Sequence, residues 1–170
     1  MKYINIFFLL LLCYACNNTP IIEVDNDNDN ELDERLLNAN KYISRSEQTQ
    51  IDGFVARNGW DMTTLSSGVR IQEHSIGSGR KIDYEDTVTI RYTIETITGI
   101  VIYKDVEETL VIGHNNTIIG LDAALRSLHF GSHARLIIPS DMAYGIVGDG
   151  DRIPSRTVLY YQLEIDNMER

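Results

Sequence analysis

Thiols are almost missing from this chain: it has 2 cysteines, Cys13 and Cys16, and none after them. A disulfide-stapled scaffold and a cysteine-ligated metal site are therefore excluded for everything downstream. Positive charge is also short. With 15 Lys+Arg against 25 Asp+Glu, the formal net charge is −10, which argues against a nucleic-acid partner and against electrostatic adhesion to anionic lipid. The apolar run from Tyr3 to Leu12 is interrupted by Asn5 and falls short of the roughly 20 apolar residues a helix needs to cross a bilayer. There is no Gly-x-Ser-x-Gly elbow and no glycine-rich phosphate loop closed by Lys and Ser or Thr, so the common hydrolase and nucleotide chemistries lack their motifs. His129 and His133 are four apart, but Gly131 breaks a helix between them, and His74 and His114 read as surface residues. No zinc site follows from that set.

What the amino terminus does contain reads as an export signal. Lys2, the apolar run and Cys13-Tyr14-Ala15-Cys16 look like a bacterial lipoprotein signal peptide over 1–15, with Cys16 as the acylated first residue of the mature protein. A plain secretory signal is the alternative, because Cys13 and Tyr14 stand where a lipobox carries aliphatic and small residues. Acyl chains bury about 0.8 kcal/mol per methylene, so attachment to a membrane would come from the lipid. The expected location is the bacterial cell envelope, lipid-anchored, at the outer membrane or facing the periplasm. Residues 16–33 are dominated by Asn, Asp and Glu and read as an acidic tether. The spacing of Asp25, Asp27 and Asp29 resembles a calcium loop, but Asn30 stands where such a loop needs glycine and Leu36 where it needs a bidentate glutamate.

Further on, Leu32, Leu36, Leu37, Tyr42, Ile43, Ile51, Phe54 and Val55 fall at loosely helical intervals. They predict one or two amphipathic helices in a leader assigned to 34–62, with Gly59 placed for a left-handed C-cap. The simpler reading is a helix docked on its own domain; the alternative is an arm for dimerisation or for clients. From 67 onward β-branched residues dominate, in segments 69–76, 86–95, 100–104, 109–112, 134–138 and 157–165. Val88, Ile90, Tyr92 and Ile94 share one strand face, as do Leu159, Tyr161, Leu163 and Ile165. Between the strands, Ile118, Leu121, Leu125 and Leu128 recur at helical steps. The pattern predicts an α+β domain over 67–170, an antiparallel sheet wrapped around one short helix and preceded by the N-terminal helical segment.

A set of motifs lies within that domain in fixed order. Gly113 is followed by Ile118, Gly120 and Leu121, then by Leu136 to Pro139, Ala143-Tyr144-Gly145, Ile153-Pro154, and Leu159, Tyr161 and Leu163. Order and spacing together resemble the FKBP family of peptidyl-prolyl cis-trans isomerases. The resemblance implies an apolar cup that binds an X-Pro bond and lets it rotate, with no metal or cofactor. Its partners would be proline-containing exported or unfolded polypeptides. Carried over residue by residue, it places Tyr92, Ile102, Ile118, Leu121, Tyr144, Ile153 and Tyr161 around the cup. Tyr92, Ile102 and Tyr161 would be walls, Leu121 the floor, and the Ile118 amide and Tyr144 hydroxyl the donors to substrate carbonyls. Loop 140–153 would overhang the cup.

Two departures stand out. Leu121 replaces the family's usual tryptophan floor, and Ile102-Tyr103 stands where an aromatic wall is usually followed by an acid. The segment from Tyr103 to Gly113 is also shorter than in the family's single-domain members, which leaves open a further wall position near Leu110. Signal, leader and domain together are similar to the isomerase lipoproteins associated with gliding motility in Bacteroidetes. The competing readings are a catalytically weak binding module or chaperone in the envelope, and a structural part of an envelope machine docked through the helix.

Overall fold

The computed structural model describes residues 26–114 and 117–166. The signal reading for 1–15, the acylated Cys16 and the first part of the acidic tether lie outside the described residues. The chain divides between Ala39 and Asn40 into two units. In the first, the described part belongs to helix α1 (Asn26–Asn58), with Leu32, Leu36 and Leu37 exposed. Glu31 and Arg35 pair at 3.9 Å with both side chains largely in water, a contact worth little. The helix starts ahead of residue 34, where the leader was expected to begin, and takes in the downstream part of the expected tether. Once a helix is nucleated, each added residue gains a hydrogen bond for its own ordering cost, so low hydrophobicity does not halt it.

In the second unit α1 ends as its sequence predicts. Gly59 has φ +64°, and the amides of Gly59 and Trp60 close on the carbonyls of Ala56 and Val55 at 3.1 and 3.2 Å. That is a Schellman closure, which glycine adopts without a Cβ penalty. Ile51, Phe54 and Val55 pack with Trp60, Ile137, Val158 and Tyr160. Trp60 stacks on Tyr160 with centroids 5.2 Å apart, while Phe54 meets both edge-on. Aromatic pairs of this kind add about 0.5–1.5 kcal/mol to the burial itself. The part of the helix within this unit is thus docked on its own domain. Two polar contacts fix it there: Arg70 donates to Gln48 and Asp52 at 3.1 and 2.7 Å, and Glu47, 8 % exposed, accepts the Ser140 amide and hydroxyl at 3.1 and 2.5 Å.

The sheet has six antiparallel strands, β1 (Thr63–Thr64), β2 (Arg70–Ser75), β3 (Thr87–Thr96), β4 (Val101–Val111), β5 (His133–Ile138) and β6 (Leu159–Ile165). Their spatial order is β1-β2-β5-β6-β3-β4. The expected alternation holds: Val88, Ile90 and Ile94 on β3 and Leu159, Tyr161, Leu163 and Ile165 on β6 are all buried, and they face the same core as helix α2 (Ile119–Leu125). On the opposite face, Ile137 and Tyr160 lie under α1. Gly120 makes the close fit of α2 possible, since a Cβ there would sit 2.4 Å from Ile138 and 2.9 Å from the Met142 carbonyl.

Two expectations need correction. The segments 100–104 and 109–112 are one long strand, β4, because pairing with β3 continues through the intervening residues. Its register shifts twice, between Tyr92 and Ile94 and between Ile94 and Glu95, and Asp105 takes φ +52° beside the first shift. Helix α2 closes at Leu125 rather than running on to the stop that Phe130-Gly131 predicts. The last turn tightens there, with the amides of Ser127 and Leu128 bonding three residues back, yet Leu128 stays buried at 1 % exposure.

Candidate functional site

On the inner face of β3 and β6, Tyr92 and Tyr161 stand diagonally across the strand pair, with ring centroids 5.5 Å apart and planes at 49°. Such diagonal neighbours are within reach of long aromatic side chains. Leu121 on α2 and Tyr161 are each 2 % exposed, and Ile153 is 3 % exposed, so the base of the arrangement is closed. Tyr92, Ile118 and Tyr144 are only partly buried and pack on that base, as does Tyr103; Ile102 on β4 is 9 % exposed. All of the residues selected by sequence resemblance belong to one apolar cluster. Leu110 is also in it, 1 % exposed, as core beneath the wall.

Polar groups are sparse and specific. The Tyr92 hydroxyl donates to Glu108 Oε2 at 3.0 Å, and burial, with the Glu108 charge, holds that phenol above its ordinary pKa. Among the described residues the Tyr144 hydroxyl has no hydrogen-bond partner, and burial, then the charges of Asp149 and Glu108, push its pKa up. Ile118 is the N-cap of α2, extended at φ −67° and ψ 143°. Its carbonyl accepts the amides of Leu121 and Asp122, each at 3.1 Å, while its own amide has no acceptor among the described residues. The first amides of a helix lack intrahelical partners. A hydroxyl and an amide are therefore available at the rim of an apolar surface.

Loop 140–153 stands beside this rim. It opens with a 3-10 turn, Ser140–Met142, and Tyr144 follows in the next turn. Asp149 closes its far end: one carboxylate oxygen accepts the amides of Asp151, Arg152 and Ile153 at 2.9, 2.9 and 2.7 Å. The other accepts the Tyr103 hydroxyl at 2.8 Å. Burial pushes the Asp149 carboxyl up, but these bonds outweigh it and hold it below the ordinary value. The bond to Asp149, and burial, push the Tyr103 phenol up to about 12.

Sequence reasoning missed Glu108 and Asp149. An acidic residue on an edge strand or in a glycine-bearing loop reads as solvated surface. The one available signal was register: Glu108 lies two residues from Leu110, on the same strand face. A polar cleft of about 270 Å³ is lined by His74, Arg91, Asp105, His133, Arg135 and Glu164 among others, and shares Tyr92 with the apolar cluster. Its arginines are already engaged, Arg91 with Asp105 and Glu107 and Arg135 with Gln72 and the face of Trp60.

A family model described as FKBP-type peptidyl-prolyl cis-trans isomerase matches residues 78–166, a span that contains every residue of the cup. The Macrophage infectivity potentiator of Trypanosoma cruzi is 32% identical over 108 residues, covering 62% of this chain and 55% of its own. A probable FKBP-type 25 kDa peptidyl-prolyl cis-trans isomerase of Pseudomonas aeruginosa is 32% identical over 101 residues, covering 59% and 44%. The chain thus spans about half the length of these two relatives. Among solved structures, a peptidyl-prolyl cis-trans isomerase from Pseudomonas syringae pv. tomato superposes with TM-score 0.64 at 28% identity, over 76% of this chain and 96% of that one. AtFKBP13 superposes at 0.59 with 21% identity over 65% of this chain and 100% of that one, and shows likeness of fold alone.

Proposed function

Since the chain belongs to the FKBP-type peptidyl-prolyl cis-trans isomerase family, we propose that it catalyses rotation about X-Pro bonds in exported or envelope polypeptides. Rotating an amide costs about 18–20 kcal/mol because nitrogen must give up its resonance with the carbonyl. Only X-Pro bonds populate both isomers, exchanging over tens of seconds unaided. No nucleophile is needed. A surface that takes the bond out of water and binds its twisted state more tightly than its planar one lowers the barrier.

The observation that carries this reading is the juxtaposition with one apolar cluster of the Tyr144 hydroxyl and the Ile118 amide, both without a partner among the described residues. In the proposal Tyr92, Ile102 and Tyr161 enclose the proline ring over Leu121, with Ile153 at the loop side. The Ile118 amide takes one flanking carbonyl and the Tyr144 hydroxyl the other. Titrating the protein with a short apolar X-Pro peptide and following its amide resonances tests the placement. Shifts at Ile118 and in loop 140–153, with none at Arg91 or Arg135 across the sheet, are expected; the reverse pattern would place the binding site in the polar cleft.

The export reading is part of the same proposal. It is supported by the sequence of residues 2–16, with Cys16 as the acylated residue and the domain held at an envelope membrane. The narrower likeness to gliding-associated isomerase lipoproteins rests on that order of segments. Incorporation of labelled fatty acid that persists in a Cys16→Ser variant would rule out Cys16 as the acylated residue, and none in the wild type would rule out the anchor.

A further inference from the structure

Tyr103 occupies the position where the resemblance leads one to expect an acid, yet the carboxylate has not vanished from the site. It comes from the facing loop, as Asp149, and the phenol on β4 now donates to it at 2.8 Å. The double register shift in β4 is what makes this possible. In an unbulged strand Ile102 and Tyr103 would point to opposite faces; here both pack against the cup's cluster, because extra residues re-aim side chains at a bulge.

The contact ties strand β4 to loop 140–153. Asp149 gathers the amides of Asp151, Arg152 and Ile153 on its second oxygen, and its own amide returns to the Ile153 carbonyl at 3.2 Å. One residue earlier, the Gly148 amide bonds to the Tyr144 carbonyl at 3.2 Å. A Cβ on Gly148 would lie 2.3 Å from the Ile153 carbonyl oxygen, so that turn is closed tightly. Tyr144 and Ile153, the two cup residues on this loop, are thus tied to Asp149 through the backbone. Arg152 adds its guanidinium over the Tyr103 ring, 5.3 Å from the centroid, and reaches the Ile102 carbonyl at 3.5 Å. At the tip between them Ile146 and Val147 are exposed at 71% and 81%, while Gly145 donates to the Ser140 carbonyl and accepts the Arg156 amide at 2.7 Å each. At the other end, Glu47 holds Ser140.

We propose that Tyr103 is a positioning residue that sets Tyr144 and Ile153 over the cup by latching Asp149 to strand β4. The proposal rests on the isomerase reading for its kinetic consequence but not for its structural one. Tyr103 does not touch the reacting bond. It decides how much of the time the loop stands where a proline peptide can use it.

The test uses the full chain and Tyr103→Phe, which loses one hydroxyl from a partly exposed ring, beside Asp149→Asn, Asp149→Ala and the double variant Tyr103→Phe/Asp149→Ala. An asparagine keeps an oxygen for the three amides and an NH2 that can donate to the Tyr103 oxygen. With an X-Pro peptide, Tyr103→Phe is expected to raise KM about tenfold with kcat within about twofold, the pattern of lost binding rather than lost chemistry. Amide exchange at 151–153 quickens in the same variant, Asp149→Asn stays near wild type, and the double variant is no worse than Asp149→Ala, as expected for members of one unit. Unchanged KM and unchanged exchange in Tyr103→Phe would overturn the latch, as would additive losses in the double variant. If the wild-type protein fails to isomerise the peptide, that outcome counts against the isomerase reading, and exchange at 151–153 still decides the latch.

Discussion

At the scale of single residues, the proposed chemistry falls to Tyr144 and Ile118, because each brings a donor to an apolar rim with no acceptor among the described residues. As candidates, both were legible from the order of motifs around Gly113, Ile153 and Tyr161, as were the proposed walls and floor, and the structure gathers all seven in one apolar cluster. Glu108, Tyr103 and Asp149 were not, because their roles depend on which side chain another strand or loop presents to them. A carboxylate bound to a phenol leaves no mark in a linear pattern. The cup phenols also set an expectation for pH. Burial raises Tyr92, Tyr144 and Tyr161 above the ordinary value of 10.0, so each remains a neutral donor in the neutral and mildly alkaline range. Turnover of a proline peptide should therefore be flat from about pH 7 to about pH 9. A fall across that range that Tyr144→Phe removes would show a Tyr144 phenol ionising far below its expected place.

At the scale of elements, strand positions and the C-cap at Gly59 followed from periodicity and local sterics. What did not follow was pairing. The merger of two expected strands into β4 and its two bulges depend on registration against β3, and the upstream start of α1 depends on cooperative extension rather than on apolar content. The reach of α1 into the site was equally hidden: Glu47 reads as one more helix charge, yet it lies buried with Ser140 filling both oxygens. Glu47→Ala would leave the Ser140 amide and hydroxyl unpaired at the start of loop 140–153. Such a loss costs about 1–3 kcal/mol, read as a lower urea midpoint with an unchanged slope. A shift within about 0.5 kcal/mol, the range of ordinary surface changes, would show that α1 does not anchor the loop in this way.

At the largest scale, the two sheet faces divide the labour: the inner face with α2 forms the core and the proposed cup, and the outer face is partly covered by the second unit's part of α1. Folded-state electrostatics add an acid limit to the stability of that arrangement. Glu73 lies beside the β2 irregularity and accepts the Ser132 hydroxyl at 2.5 Å and the His129 amide at 3.2 Å. Burial pushes its carboxyl up, but the bonds from Ser132 and His129 outweigh this and hold it below 4.5. A depressed carboxyl contributes stability that is complete above its unfolded pKa and is lost as pH falls through its folded one. Between about pH 5 and about pH 3 the wild type should lose stability more steeply than Glu73→Gln. Parallel loss in the two proteins would remove Glu73 from the account.

The central claim, that this apolar cup turns proline bonds, is tested most directly by cis-to-trans relaxation of a proline peptide with the wild-type protein and with Tyr144→Phe. The account predicts acceleration by the wild type. It also predicts a loss of about fivefold to tenfold in kcat/KM in the variant, the scale of one hydrogen bond made in the transition state, with the fold intact by circular dichroism. No acceleration by a folded wild-type protein would contradict the account and leave a proline-binding module in the envelope as the reading that stands.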